Sequence, residues 1–126
     1  MATTRLVLVV DDNAGVVSAL VDAIKTEPGF DAIGTTRGVE AIRLLGERAP
    51  RVVLFDLAMP GMDGAELAQW LRSDPAARGV RLIGMTGLPG FAGMRRDAAG
   101  AGVTLILDKP LDVDELLEVL RRATGG

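Results

Sequence analysis

The sequence predicts an α/β fold: a single doubly wound, five-stranded parallel sheet flanked by five helices. Two observations carry this. Short apolar or β-branched runs alternate along the chain with helical patterns, the signature of repeated βα units. In addition, four of those runs end on a polar group: Asp11-Asp12 after Leu6–Val10, Asp56 after Val52–Phe55, Thr86 after Leu82–Met85, and Lys109-Pro110 after Val103–Leu107. Neighbouring parallel strands share one carboxyl edge, where open α/β sheets place their active crevice. At 126 residues the chain suits one domain, 1–126, with a real core and little room for a second folded unit.

The first strand, Leu6–Val10, leads to a helix that buries Val17, Leu20, Val21 and Ile24, spaced i, i+3, i+4, i+7. The second strand, Asp31-Ala32-Ile33-Gly34, is short and poorly apolar, as befits an edge. A helix around Val39 to Glu47 follows, using Ala41, Ile42 and Leu45 and closed by Pro50. The third strand, Arg51 to Phe55, is apolar on both faces and therefore central. Met59-Pro60-Gly61-Met62-Asp63-Gly64 makes a rigid turn into a third helix, about Ala65 to Ser73.

Leu82–Met85 forms the fourth strand, and a fourth helix spans about Phe91 to Ala99. Gly87, Pro89, Gly90, Gly93 and Gly100 surround or interrupt that helix, and an interior glycine costs roughly 1 kcal/mol relative to alanine. Such a segment is a candidate to shift or partly melt. After the fifth strand, Val103–Leu107, the last helix buries Val113, Leu116, Leu117 and Leu120. Its start is well signalled, with Asp112 ahead of Glu115 in a capping-box pattern and Asp114 and Glu115 at the positive end of the dipole. Residues 123–126, Ala-Thr-Gly-Gly, read as a frayed tail or the start of a linker.

Composition removes several function classes. Fourteen Lys plus Arg against 17 Asp plus Glu give a net charge of -3, and no basic cluster is longer than Arg95-Arg96 or Arg121-Arg122, which argues against direct nucleic-acid binding. No apolar stretch approaches the roughly 20 residues that span a bilayer, and the N-terminus carries no signal-peptide pattern. The expectation is a soluble, cytoplasmic protein without membrane contact. With no cysteine and no histidine, disulfides, thiol chemistry, a Ser-His-Asp triad and a typical zinc site are excluded. What remains is carboxylate chemistry with a hard, oxygen-seeking metal.

Three carboxylates at one sheet edge repel one another in a partly dry crevice. A divalent cation offsets them most simply; an all-oxygen site suits magnesium, with manganese as a substitute. Lys109 adds a fixed positive charge and Thr86 a hydroxyl donor, so the group could hold a small tetrahedral anion at a carboxylate, as phosphoryl transfer requires. Each residue also has a plainer reading when taken alone. One of Asp11 and Asp12 could cap the following helix, Thr86 could cap a loop, and Lys109 could be a solvated lysine; their shared strand-end position favours the site.

Val9-Val10-Asp11-Asp12-Asn13, Phe55-Asp56-Leu57-Ala58-Met59-Pro60-Gly61-Met62-Asp63-Gly64, Met85-Thr86-Gly87 and Asp108-Lys109-Pro110 together resemble the receiver domain of two-component response regulators, in order, in spacing and over nearly the full length. The resemblance implies a flavodoxin-like sheet of strand order 2-1-3-4-5. It implies that Asp56 is the phosphoacceptor, taking a phosphoryl group from a phosphohistidine on a histidine kinase or histidine phosphotransfer protein. Asp12 and Asp56 would ligate magnesium directly, Asp11 mostly through water, and the Ala58 carbonyl would complete the set. Lys109 would pair with the phosphoryl group, Thr86 would swing in to bond it, and the Gly87 amide would help hold it. The bond between Lys109 and Pro110 is expected to be cis. The chain would act as a signalling switch that catalyses its own modification and changes its helix 4, strand 5, helix 5 face for a downstream protein partner or output domain.

Two departures from the family stand out. Ile106 occupies the switch position where receivers commonly carry tyrosine or phenylalanine, and the chain has no tyrosine. The signal would then travel through Gly87 to Gly93 and the weak fourth helix, with Phe91 moving. The positions two after Asp56 and two after Thr86, which flank the attacking water in the family, are Ala58 and Leu88; neither orients a water, so the acyl phosphate should persist. Competing functions are a phosphorylation-independent interaction module, which Ile106 keeps open, and a phosphohydrolase of the haloacid-dehalogenase type, which wants an acid where Ala58 stands. A flavodoxin-like electron carrier is weaker, since few aromatics are available to stack a flavin.

Overall fold

The computed structural model describes residues 4–59, 62–63, 69, 72–75, 79–87, 100 and 102–125. Strand β1 (Arg5–Val10) runs into α1 (Ala14–Lys25), β2 (Phe30–Thr35), α2 (Gly38–Arg48) and β3 (Val52–Asp56). Two short strands follow, β4 (Ala58–Met59) and β5 (Met62–Asp63), then β6 (Arg81–Thr86), β7 (Val103–Asp108) and a C-terminal helix, α3 (Val113–Ala123). The main sheet has the order β2-β1-β3-β6-β7, and all its pairings are parallel. This is the expected 2-1-3-4-5 arrangement once the antiparallel β4/β5 pair is set apart.

The alternation of side chains along each strand divides the core. On β1, Leu8 and Val10 join Val53 and Phe55 of β3 beneath Ala41 and Leu45 of α2. Val7 and Val9 face the other way, with Leu54 and Ile83, beneath Val17, Leu20 and Ile24 of α1 and Leu116 and Leu120 of α3. Every residue of β3 is buried, which confirms it as a central strand. The edge assignment of β2 also holds, but the strand is longer than Asp31–Gly34. Phe30 and Thr35 extend it because each finds a register partner on β1, Arg5 and Val10. Gly34 has a packing role as well: a Cβ there would run into the Val17 side chain of α1.

Several expectations need correction. Val113, assigned to the buried stripe of the last helix, is 44% exposed; as the first residue of α3 it lies beyond the sheet that Leu116 and Leu120 cover. Residues 123–124 do not fray. Ala123 completes α3, and Thr124 is its buried C-cap, its hydroxyl donating to the Leu120 carbonyl at 2.8 Å. An Arg51 guanidinium nitrogen donates to the Thr124 carbonyl at 3.1 Å, tying the chain end to the foot of β3. α2 ends at Arg48, and Ala49 takes a left-handed conformation (φ 48°) directly before Pro50. The turn predicted over residues 59–64 shows its two arms as the β4/β5 pair.

Of the third predicted helix, only Gln69, Arg72 and Ser73 are described, and all three are helical. The fourth, with Phe91 and Leu88, lies outside the described residues, as do Trp70 and Arg95-Arg96. No helix among the described residues is long and apolar enough to cross a membrane.

Candidate functional site

The sheet order places β1 beside β3 and β3 beside β6, with β7 at the far edge. The parallel register then delivers the residues after β1, the last of β3 and β6, and the first after β7 to one end of the sheet. Carboxylate oxygens of Asp11, Asp12 and Asp56 lie within 4.8 Å of one another. Asp11 is fully buried and Asp56 nearly so, while Asp12 is exposed.

Local hydrogen bonds aim the two buried carboxylates. Asp11 Oδ1 accepts from the Asn13 amide at 2.9 Å, and Asp56 Oδ1 accepts from the Ala58 amide at 3.0 Å. In both cases the second oxygen faces the lysine: Lys109 Nζ donates to Asp11 Oδ2 at 2.5 Å and to Asp56 Oδ2 at 3.2 Å. The ammonium thus bridges two acids that would otherwise repel in a low-dielectric pocket. Burial, the largest single influence on Lys109, favours its neutral form. The hydrogen bond it donates to Asp11, the charge of Asp56 and the hydrogen bond donated to it, and the charge of Asp11 together outweigh it, and the pKa is raised above 10.5.

Lys109 is held there by its own backbone. Its amide donates to the Thr86 carbonyl at 2.8 Å, continuing the β6–β7 pairing one residue past Thr86↔Asp108, and the Lys109–Pro110 peptide is cis, as expected. Thr86 is buried at the end of β6. Gly87 follows it, and a Cβ built there would make ordinary contact with the Lys109 stem at 3.9 Å.

The structure therefore brings Asp11, Asp12, Asp56 and Lys109 into one cluster and sets Thr86 and Gly87 at the same sheet edge, where β6 ends beside Lys109. Ala58 follows Asp56 by two residues, and its N–H orients the Asp56 carboxylate. Ile106 stands apart, half-buried against the core on the α2 side of the sheet.

Asn13 was missed as an orienting residue. Its side chain caps α1 by accepting from the Val16 amide at 3.1 Å, so the capping role open to Asp11 or Asp12 is already filled and both acids are left for the cluster. An Asn directly before a helical pattern was the available signal. At the other end of the fold, Asp112 does cap α3, accepting from the Glu115 amide at 3.0 Å.

The donor set fits a hard divalent cation: three carboxylates from two strand ends, two buried and one exposed. An ammonium at the same place can pair with an anion attached to Asp56.

Residues 7–121 match the family model described as the response regulator receiver domain. The chain is 29% identical over 122 residues to the polar-differentiation response regulator DivK of Brucella ovis, covering 97% of this chain and 98% of that one. Among solved structures it is similar to the response regulator domain of CheB from Thermotoga maritima, with 28% identity, a TM-score of 0.84 and 98% of each chain covered. It is also similar to the receiver domain of a sensor histidine kinase from Pseudomonas aeruginosa, with 25% identity, a TM-score of 0.83 and 98% and 100% coverage. That domain was crystallised with a magnesium ion coordinated in its active site cleft.

Proposed function

We propose that this chain, which belongs to the response regulator receiver domain family, is a phosphoacceptor switch that takes a phosphoryl group onto Asp56 from a phosphohistidine donor. The observation that carries the reading is the double contact of Lys109 with Asp11 and Asp56, on a sheet edge where three carboxylates converge.

Asp11, Asp12 and Asp56 would hold magnesium, or manganese in its place, with the Ala58 carbonyl as a further ligand. When bound, the cation neutralises the carboxylates and lets an anionic phosphoryl group approach. The chain's own part is positioning. The Ala58 amide fixes one Asp56 oxygen and so limits rotation of the carboxylate that attacks phosphorus. As the new P–O bond forms, the P–N bond to the donor's imidazole breaks, and the bonding electrons leave with the imidazole nitrogen. Lys109, already 3.2 Å from Asp56, pairs with the added charge; the Thr86 hydroxyl and Gly87 amide bond the remaining phosphoryl oxygens.

The donor would be a histidine kinase or histidine phosphotransfer protein in the cytoplasm, and the readout a changed surface for a downstream protein or output domain. Ile106 at the switch position favours a second reading, a receiver fold that recognises its partner without phosphate.

Transfer from a small donor separates the two. Incubated with magnesium and acetyl phosphate, the protein should gain one phosphoryl group by intact mass, and chelation of the metal should abolish the gain. A folded, magnesium-binding protein that gains none from acetyl phosphate or from an autophosphorylated kinase core supports the second reading.

A further inference from the structure

Asp56 is followed by Leu57, a residue given no role so far. Leu57 is 1% exposed and belongs to the core on the α2 side of the sheet. Its amide donates to the Met85 carbonyl at 2.9 Å, which ties the turn leaving β3 to β6 one residue before Thr86. Its side chain lies over Gly84. A Cβ built on Gly84 would sit 2.8 Å from Leu57 Cδ2, 3.0 Å from Cγ and 3.2 Å from Cδ1, closer than packed carbon atoms tolerate. Leu57 is sealed in the core, so it could not yield to that Cβ by turning outward. A shift of that side chain within the packed core pulls on its backbone, which joins Asp56 to Ala58, whose amide orients the Asp56 carboxylate.

We propose that Gly84 is a positioning residue for Asp56: its missing side chain seats Leu57, and the seated Leu57 holds the Asp56–Ala58 turn in register with Thr86. The contact makes a short mechanical link between the two strand ends that carry the acceptor and the hydroxyl. It joins them on the same face of the sheet as Ile106. The inference rests on the proposed role of Asp56 for its catalytic consequence but not for its geometric one.

The test compares the parent with Gly84→Ala and with Gly84→Ala/Leu57→Ala, since Leu57→Ala removes all three of the crowded atoms. The geometric readout is hydrogen exchange of the Ala58 amide in the metal-free protein. The chemical readouts are the magnesium dissociation constant and the rate constant for adduct formation from acetyl phosphate at saturating metal. Gly84→Ala should speed Ala58 exchange and slow adduct formation, each by about tenfold or more, because ångström-scale displacement of a reacting group has effects of that size. Magnesium affinity should weaken as well, since Asp56 and the Ala58 carbonyl belong to the proposed ligand set, which is why adduct formation is compared at saturating metal. The double variant is freed of the clash but lacks the seated side chain, so it should recover part of both losses, which a merely structural role for Gly84 would not produce. Unchanged Ala58 exchange in Gly84→Ala, or losses that the double variant does not recover, would overturn the proposal. If the parent forms no adduct, the phosphoacceptor reading fails while the exchange comparison still decides the Gly84–Leu57–Ala58 linkage.

Discussion

The Lys109 ammonium lies closer to Asp11 than to Asp56: 2.5 Å separates Nζ from Asp11 Oδ2, and 3.2 Å from Asp56 Oδ2. The lysine that would pair with a phosphoryl group is thus anchored on the most deeply buried acid of the cluster. Removing it leaves a fully buried carboxylate without its counter-charge. Lys109→Met should cost about 3 kcal/mol of unfolding free energy in chelator, the scale for breaking a buried pair from one side. Magnesium should return part of that loss. Urea unfolding with EDTA and with magnesium checks this; an equal loss in both buffers would contradict it.

The same pair has a defined pH window. The folded pKa of Lys109 is raised above 10.5 by the two carboxylates that face it, Asp11 and Asp56, against the opposing effect of burial. A raised pKa gives a contribution fully present below the unfolded value and lost as pH climbs through the folded one. The stability difference between parent and Lys109→Met should therefore stay flat through neutral pH and shrink only above about 10.5. A difference that collapses between about pH 7 and 9 would break the assignment, because an ammonium keeps its proton there.

Asp12 is the cluster's exposed carboxylate, and Lys109 does not reach it. Without metal it adds a third negative charge to a cluster in which one ammonium already faces two carboxylates. Asp12→Asn should raise metal-free stability by about 1 kcal/mol, the Coulomb scale for charges near 5 Å at an exposed rim. It should also forfeit most of the metal-linked gain, which in the parent reaches about 2.7 kcal/mol at a hundredfold excess over the dissociation constant. Thermal unfolding across a magnesium titration measures both, and a variant stabilised by metal as strongly as the parent would remove Asp12 from the ligand set.

Much of this was legible in the chain, for identifiable reasons. Continuous burial of β3 follows from a run with no polar residue before Asp56, and parallel order then forces the strand-end groups together. Asn13 was signalled but ambiguous, and the Ala58 amide and Gly84 were not legible. The first competes with two adjacent acids for the same capping role, the second is a backbone group that no side chain reveals, and the third acquires meaning only once Leu57 is seen to lie on it. Val113 was misread because helical spacing gives a direction but not where the sheet beneath it ends. Ala49 was read only through Pro50, which disfavours right-handed helical backbone in the residue before it.

That residue gives a stability prediction independent of the site. An alanine at φ 48° sustains a left-handed penalty of about 1–2 kcal/mol, of which glycine's greater unfolded freedom returns about half. Ala49→Gly should stabilise the fold by about 0.5–1 kcal/mol without altering magnesium affinity. Calorimetric unfolding showing no gain, or a loss, would contradict the C-cap geometry.

Ala58 is exposed beside Asp56, and neither it nor Leu88 has a side-chain donor or acceptor to hold an attacking water. Decay of the phosphoryl adduct should accelerate about tenfold or more when Ala58→Asn and Leu88→Glu are combined, the lower range for a positioned polar group. Adduct lifetime followed by mass after removal of the donor measures it, and an unchanged lifetime would mean that water reaches Asp56 by another route.

The central claim is that Asp56 accepts the phosphoryl group, and peptide-level mass spectrometry of the borohydride-trapped adduct tests it most directly. The account predicts that parent protein treated with magnesium and acetyl phosphate yields one modified residue, Asp56, and that Asp56→Asn yields none while remaining folded. An adduct that persists in Asp56→Asn, or one mapped to Asp11 or Asp12, would contradict it.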